Sequence, residues 1–422
     1  MDKALFLAKK LIPKPFFNLF QPVYHYFLAL VGAVLYRFPS RRIKVIAVTG
    51  TKGKSSVVEM LTAIFDEAGL KTASASTIRF KVGEKIERNL FKMTTPGRFF
   101  IQRFLRQAVD AKCDVAVIEM TSEAARQFRH KFIDFDALIF NNLQKEHIES
   151  HGSFEKYRDA KLEIARALAQ SRKSPKFMVA NADDKESEKF FAAAGNAVKI
   201  SFSLKNAEPY KTTDNGVEFN FAGKAVSSKL VGLFNIYNLI ASASCAQSFG
   251  VSEDKIREAI EKISSIPGRA EIVRGKNFDV VVDYAHTPDS LRAIYEAFPG
   301  RMKICVLGNT GGGRDTWKRP EMGRIADQYC TQVILTNEDP YDEDPRTIVD
   351  EMAATIQPAK LTIEMNRAKA IGIAVNEASK NTGSVVLLTG KGTDPFIMEA
   401  GGKKTPWSDK AEAEKAILLN VQ

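Results

Sequence analysis

The chain has 422 residues, 45% hydrophobic and 26% charged, a balance that fits two or three globular domains and excludes a disordered or fibrous protein. Its net charge of +11 is uneven: residues 1–44 hold eight Lys/Arg against Asp2 alone, a net +7, leaving +4 for the remainder. Basicity so local excludes a general nucleic-acid-binding surface.

Residues 1–43 form a hydrophobic, basic and helical N-terminal segment. Phe16 to Phe38 reads FFNLFQPVYHYFLALVGAVLYRF, aromatic-rich and flanked by basic residues. Its apolar core starts too late for a cleaved signal peptide, and Asn18, Gln21, Pro22 and His25 interrupt it as a spanning helix. Two readings stand side by side: an interfacial helix making peripheral membrane contact through residues 1–40, or a helical pair packed on the body of the protein.

Next comes KVIAVTGTKGKSSVVE, residues 44–59. The β-branched run Val45–Val48 predicts a strand, and Val57, Val58, Leu61, Ile64 and Phe65 fall on one face of a helix. The turn between them, Gly50-Thr51-Lys52-Gly53-Lys54-Ser55-Ser56, matches GxxxxGK[ST] except that Val48 holds the first glycine position. Glycines let backbone N–H groups approach phosphate oxygens, and a helix N-terminus adds favourable partial charge. Lys54 can reach the β- and γ-phosphates, and the Ser55 hydroxyl can ligate Mg²⁺. A nucleotide site is expected here.

Apolar strands and amphipathic helices alternate through residues 44–265, which predicts a mostly parallel sheet. Strand-like runs include Asp114–Ile118, Ala137–Phe140 and Phe177–Ala180, and residues 201–231 read as a small β excursion. Gly232 opens a helix carrying Asn235 and Asn238 three apart on one face, either as amides for a base or as caps. Ile266-Pro267-Gly268 links to a second α/β unit, residues 266–422, with strands at Val280–Val282, Lys303–Leu307, Val333–Leu335 and Val385–Leu388. The fold class is therefore α/β: a P-loop-type, mostly parallel central domain, then a Rossmann-like domain. Cys113, Cys245, Cys305 and Cys330 show neither CxxC nor metal-ligand spacing, and read as small buried residues of a reducing cytoplasm.

Glu119 follows a buried-type strand, either as an oxygen ligand for Mg²⁺ or as a helix cap. With TGTKGKS, the stretch NNLQKEHIESHGSFEKYRDAKLEIA (141–165), GLFNIYN from Gly232, IPGRAE around Arg269, VVVDYAHTPDSL from Val280 and NTGGGRDTWKRP from Asn309, the chain from about Ile43 onward resembles the Mur ligases. Among them it is similar to the MurE type. These enzymes join an amino acid to a carboxylate at the expense of ATP.

The resemblance implies the following roles. Ser55, Glu119, His147 and a carbamylated Lys161 are Mg²⁺ ligands, the carbamate giving an anionic oxygen where an ammonium would repel the metal. Gly50–Ser56, Asn235, Asn238, Arg269, Asp283 and Tyr284 bind ATP. Lys54, Lys161, Arg269 and His286 assist catalysis at a site shared by two domains. Thr94, Thr95, Thr121, Gln127 and Arg129 hold the muropeptide acceptor. Arg314 pairs with the incoming amino acid's carboxylate, beside Glu338, Asp339, Tyr341, Gly390 and Asp394. Tyr341 stands where diaminopimelate-adding enzymes have arginine and Asp394 where they have glutamate, which leaves the amino acid open; Glu123 stands where the family has histidine, which leaves the acceptor detail open.

In place of the family's N-terminal uridine-nucleotide domain, only 43 residues precede the loop segment. A cytoplasmic enzyme is expected, membrane-associated at the inner face on the interfacial-helix reading and free of the membrane on the packed-helix one. Two alternatives remain: another amide ligase of the polyglutamate, cyanophycin or folylpolyglutamate type, and a nucleotide-binding pseudo-ligase.

Overall fold

The computed structural model describes residues 14–146, 151–313 and 315–420. The chain divides into two compact units, Met1–Leu143 with Glu155–Phe202, and Gln144–Phe154 with Ser203–Gln422.

The first unit is built on an eight-stranded sheet. Its strands are β1 (Lys44–Thr49), β2 (Thr72–Ala75), β3 (Arg79–Val82), β4 (Lys85–Arg88), β5 (Val115–Glu119), β6 (Ala137–Phe140), β7 (Phe177–Asn181) and β8 (Val198–Phe202). They lie in the order β4-β3-β2-β5-β1-β6-β7-β8, parallel except at the β2–β3 and β3–β4 pairings. The runs VIAVT of β1 and VAVIE of β5 are buried throughout, as expected of strands covered on both faces. Central β1 pairs Val48 with Glu119 of β5 and Thr49 with Phe140 of β6. The turn after β1 therefore leaves the sheet between Glu119 and Asn141-Asn142.

Four helices matter to this unit: α1 (Lys14–Leu35), α2 (Lys54–Glu67), α3 (Arg98–Asp110) and α4 (Phe154–Gln170). The first is one continuous helix that contains Pro22 and packs on α3. No helix among the described residues is long and apolar enough to cross a membrane.

In the second unit, the excursion expected near residues 201–231 is an antiparallel sheet of β9 (Lys211–Thr213), β10 (Gly216–Phe221) and β11 (Lys224–Ser228), followed by α5 (Leu233–Ser248). The larger sheet comprises β12 (Glu271–Arg274), β13 (Asp279–Val282), β14 (Lys303–Leu307), β15 (Gln332–Leu335), β16 (Leu361–Ile363) and β17 (Val385–Leu388), ordered β12-β13-β17-β14-β15-β16. Only β12 runs antiparallel to its neighbour. Apolar clusters cover both faces: Leu291, Tyr295, Phe298 and Met352 belong to one, Ile371, Val375 and Ala413 to the other. Asp283, Asn309, Glu338 and Gly390 all follow carboxyl ends of parallel strands, where open α/β sheets collect ligands.

The cysteines correct one expectation. All four are buried, but Cys305 and Cys330 are joined in a disulfide rather than standing as separate thiols. Their separation of 25 residues conceals that Cys305 lies in β14 and Cys330 just ahead of the adjacent, parallel β15. Cys113 and Cys245 are free.

Candidate active site

The glycine turn is a cradle with a carboxylate at its floor. Gly53 caps α2 with φ of 80°, a left-handed conformation that favours glycine, so α2 starts at Lys54. Lys54 Nζ donates to the Thr51 carbonyl at 2.9 Å and lies 4.0 Å from Glu119 Oε1. Ser55 Oγ donates to Glu119 Oε2 at 2.9 Å, as does the Thr77 backbone N–H at the same distance. Asn142 steadies the turn, its side-chain oxygen accepting from Lys52 N–H and its backbone carbonyl from Thr51 N–H, both at 2.8 Å. Ser56 is buried in the first turn of α2.

Lys161 reaches the same cradle from α4. It is fully buried, its Nζ donates to the Gly50 carbonyl at 2.7 Å, and it sits 4.9 Å from the Tyr157 ring centroid. Tyr157 in turn shares a 3.1 Å hydrogen bond with Thr51 Oγ1. The structure thus brings together Gly50–Ser55, Glu119 and Lys161. A hydroxyl and a carboxylate within hydrogen-bond distance, beside a phosphate-type turn, make a donor set that fits Mg²⁺. No group of three or more His, Cys, Asp or Glu suited to a metal occurs among the described residues. His147, the fourth expected ligand, lies outside them.

A second cluster of the first unit contains the expected acceptor residues. Thr95 Oγ1 donates to the Glu119 backbone carbonyl at 2.9 Å, Thr94 Oγ1 meets Thr77 Oγ1 at 2.8 Å, and Thr121 caps the helix Ser122–Arg126. The Gln127 side-chain oxygen accepts from Arg129 Nη2 at 2.7 Å and from Arg98 Nη2 at 3.4 Å. Arg98 also bonds His25 of α1, and Arg129 the Thr95 carbonyl. Neither guanidinium pairs with a carboxylate among the described residues. Burial first, then the Arg98 charge, pulls Arg129 down to about 10. Two such cations side by side form a receptor for an anion.

In the second unit, Asn235 and Asn238 are buried on α5: Asn235 Nδ2 donates to the Val231 carbonyl at 2.9 Å and Asn238 Nδ2 to Asn235 Oδ1 at 3.3 Å. Arg269 stacks over the Tyr284 ring at 4.3 Å. Asp283 accepts from the N–H groups of Ala270 and Ala285, each at 2.7 Å. His286 meets the Tyr284 carbonyl at 2.7 Å through Nδ1 and Glu146 Oε1 at 3.0 Å through Nε2. The Asp394 carboxylate, then burial, holds the Tyr284 phenol well above its ordinary range.

Around β15 and β17, Lys391 Nζ binds Asp339 Oδ1 at 2.8 Å and Asp394 Oδ2 at 3.4 Å. Glu338 is buried; Thr310 Oγ1 donates to its Oε1 at 3.1 Å, and its Oε2 has no hydrogen-bond partner among the described residues. Burial pushes the Glu338 carboxyl up. A Cβ built on Gly390 would stand 2.1 Å from that free oxygen. Tyr341 follows with a left-handed backbone, its N–H on the Met398 carbonyl at 3.1 Å. Arg314 lies outside the described residues.

Sequence reasoning did not single out Thr77, Arg98, Asn142, Tyr157 or Lys391. Tyr157 was within reach, since its spacing of four from Lys161 puts both on one helical face. Asn142 ends an apolar strand, the position that already marked Glu119. Thr77 and Arg98 carry no comparable signal.

Comparison with known proteins gives a consistent result. The Mur ligase middle domain matches residues 48–246, and the Mur ligase, glutamate ligase domain matches residues 268–392. The UDP-N-acetylmuramoyl-L-alanyl-D-glutamate–2,6-diaminopimelate ligase of Syntrophomonas wolfei is 34% identical over 385 residues, spanning 87% of this chain and 77% of that protein. The Bacillus licheniformis ligase of the same description is 35% identical over 405 residues, spanning 93% and 82%. Among solved structures, a ligase of that description superposes with a TM-score of 0.63 at 27% identity, covering 90% of this chain and 79% of that one. Folylpolyglutamate synthase of Mycobacterium tuberculosis, complexed with ADP, superposes at 0.71 with 17% identity, covering 87% and 92%, a likeness of fold.

Proposed function

The chain belongs to the Mur ligase family, and from that premise we propose that it is an ATP-dependent amide ligase adding an amino acid to a muramoyl-peptide-type acceptor in peptidoglycan precursor synthesis. The observation that carries the reading is the cluster of Lys54, Ser55, Glu119 and Lys161 around the glycine turn. The ATP-binding residues of this reading are Gly50–Ser56, Asn235, Asn238, Arg269, Asp283 and Tyr284. Residues 44–265 carry the glycine turn and the acceptor cluster, and residues 266–422 the amino-acid site.

A carboxylate is a poor electrophile at neutral pH, so the reaction begins by activating it. An acceptor carboxylate oxygen attacks the γ-phosphorus of ATP, giving an acyl phosphate and ADP. The amine of the amino acid then adds to the acyl carbon, and the tetrahedral intermediate expels phosphate as the amide forms. Lys54 and Arg269 neutralise the phosphates, with His286 oriented by Glu146. Ser55, Glu119, His147 and a carbamylated Lys161 are the residues that would hold Mg²⁺, which when bound would supply charge screening as two anions meet. Carbamylation would add CO₂ to the deprotonated Nζ of Lys161 with release of a second proton, leaving one N–H and supplying an anionic oxygen.

Arg129 and Gln127, with Thr94, Thr95 and Thr121, hold the acceptor's anionic groups. Arg314 takes the α-carboxylate of the amino acid, and Glu338, Asp339, Tyr341, Gly390 and Asp394 line its side-chain site. ATP and the precursors of this chemistry belong to the cytoplasm, where we place the enzyme. Residues 1–40 are the part of the chain that the reaction leaves unassigned.

The decisive experiment measures ADP and phosphate release with a panel of muropeptides and amino acids. Release that requires both co-substrates, with a new amide seen by mass spectrometry, is the expected result. ATP binding without co-substrate-stimulated turnover would replace this reading by a pseudo-ligase; turnover with a folate or polyglutamate acceptor instead would move the enzyme elsewhere in the family.

A further inference from the structure

Helix α1 packs the wrong way round for a helix of a water-soluble surface. The residues it turns toward α3 are small: Ala29 and Ala33 are 2% and 0% exposed, and Gly32 lies against Phe99 and Gln102. Its bulky apolar residues point the other way. Val23, Phe27, Val31, Val34 and Leu35 are 53%, 57%, 50%, 56% and 62% exposed. Their spacing of four, four, three and one gathers them on a single face, opposite the packed one. Phe99 of α3, which lies against Gly32, is itself 36% exposed. A contiguous exposed patch of this kind marks an interaction surface.

Charge selects the partner. Residues 14–44 contain Lys14, Arg37, Arg41, Arg42 and Lys44 and no acidic residue, so cations bracket the helix at both ends. Arg37, Arg42 and the α3 residue Arg103 are exposed, while Arg41 is shared with Asp134. Asp134 beside Arg41 and Asp110 near Arg42 offset part of this charge, but an apolar face with a mainly basic rim still complements an anionic lipid surface: the side chains enter the acyl boundary and the cations meet the headgroups. A second copy of the chain would bring the same cations against one another.

We propose that α1 is an interfacial anchor that seats the protein on an anionic bilayer through the Val23–Phe27–Val31–Val34–Leu35 face, without crossing it. The contact is independent of the ligase reading, because none of these residues belongs to the cradle or the acceptor cluster. It holds the enzyme where amphiphilic, lipid-linked acceptors reside.

The test is flotation of the full-length protein with vesicles of phosphatidylcholine containing 30% phosphatidylglycerol, against vesicles of phosphatidylcholine alone. Co-flotation with the anionic vesicles only, weakened by 0.5 M salt, is expected. Phe27→Glu/Val31→Glu changes exposed side chains, so the fold and the ATPase rate should persist while partitioning falls at least about tenfold. A Phe27→Trp variant should show blue-shifted fluorescence with the anionic vesicles. Failure to float, or equal flotation of the double-Glu variant, overturns the proposal. A stable dimer by light scattering that the double-Glu change dissociates, with no vesicle binding, overturns it in favour of a second copy.

Discussion

Lys161 Nζ and the Gly50 carbonyl, 111 positions apart in sequence, stand 2.7 Å from each other, so one buried amine fastens α4 to the phosphate-type turn. If that nitrogen carries a carbamate, Lys161→Gln should keep a neutral polar side chain beside the turn but lose the anion. Turnover should fall at least about 100-fold while the melting temperature stays near that of the parent. Protein equilibrated with ¹³C-bicarbonate should show a carbamate carbon resonance that Lys161→Ala lacks.

Ser55 and Glu119 share a 2.9 Å contact. Substituting either as Ser55→Ala or Glu119→Gln removes an oxygen from the expected metal set. The Mg²⁺ concentration giving half-maximal turnover should rise by about tenfold or more, with a smaller change at saturating metal. A Mg²⁺ titration of the steady-state rate distinguishes this from simple misfolding, which added metal would not restore.

The paired guanidiniums of Arg98 and Arg129 should respond to the acceptor rather than to ATP. Arg129→Gln removes one of two cations flanking Gln127, and the KM for acceptor should rise about 30-fold. Nucleotide affinity, read by titration with a fluorescent ATP analogue, should be unchanged.

His130 offers a pH signature. Both ring nitrogens are buried without hydrogen-bond partners among the described residues, and burial, then the Lys131 charge, pulls the imidazole down to about 3 from an ordinary 6.5. Above pH 6.5 the ring is neutral in folded and unfolded chains alike and contributes no pH dependence. Between 6.5 and 3 the unfolded chain takes up a proton that the folded one refuses. Stability is lost through that window at about 1.4 kcal/mol per pH unit from this group alone. His130→Leu should therefore equal or exceed the parent at pH 7 and pull ahead as pH falls, measured by urea denaturation from pH 7 to 4.

Much of this is legible in the sequence alone. The runs Ala137–Phe140, Lys303–Leu307 and Val385–Leu388 are strands at those bounds because short apolar runs ended by glycine or polar residues fit strands buried on both faces. Glu119 was legible for the same reason, sitting at a strand end. What stayed hidden depends on neighbours distant in sequence. Parallel pairing brings Cys305 to Cys330, yet neither spacing nor composition announces it. Arg98 matters because it meets Gln127 and His25, and Thr77 because its N–H meets Glu119; both relations are tertiary. For α1 the apolar composition was visible, but which side chains face outward was settled only by packing on α3.

Gly390 carries a φ of +102°, a conformation that L side chains rarely adopt, and a Cβ there would meet the Glu338 carboxylate. The carboxylate can rotate away but the backbone angle cannot, so trimming the acid at 338 would not by itself open position 390 to other residues. Tolerance at 390 is therefore a question of main-chain strain rather than of room.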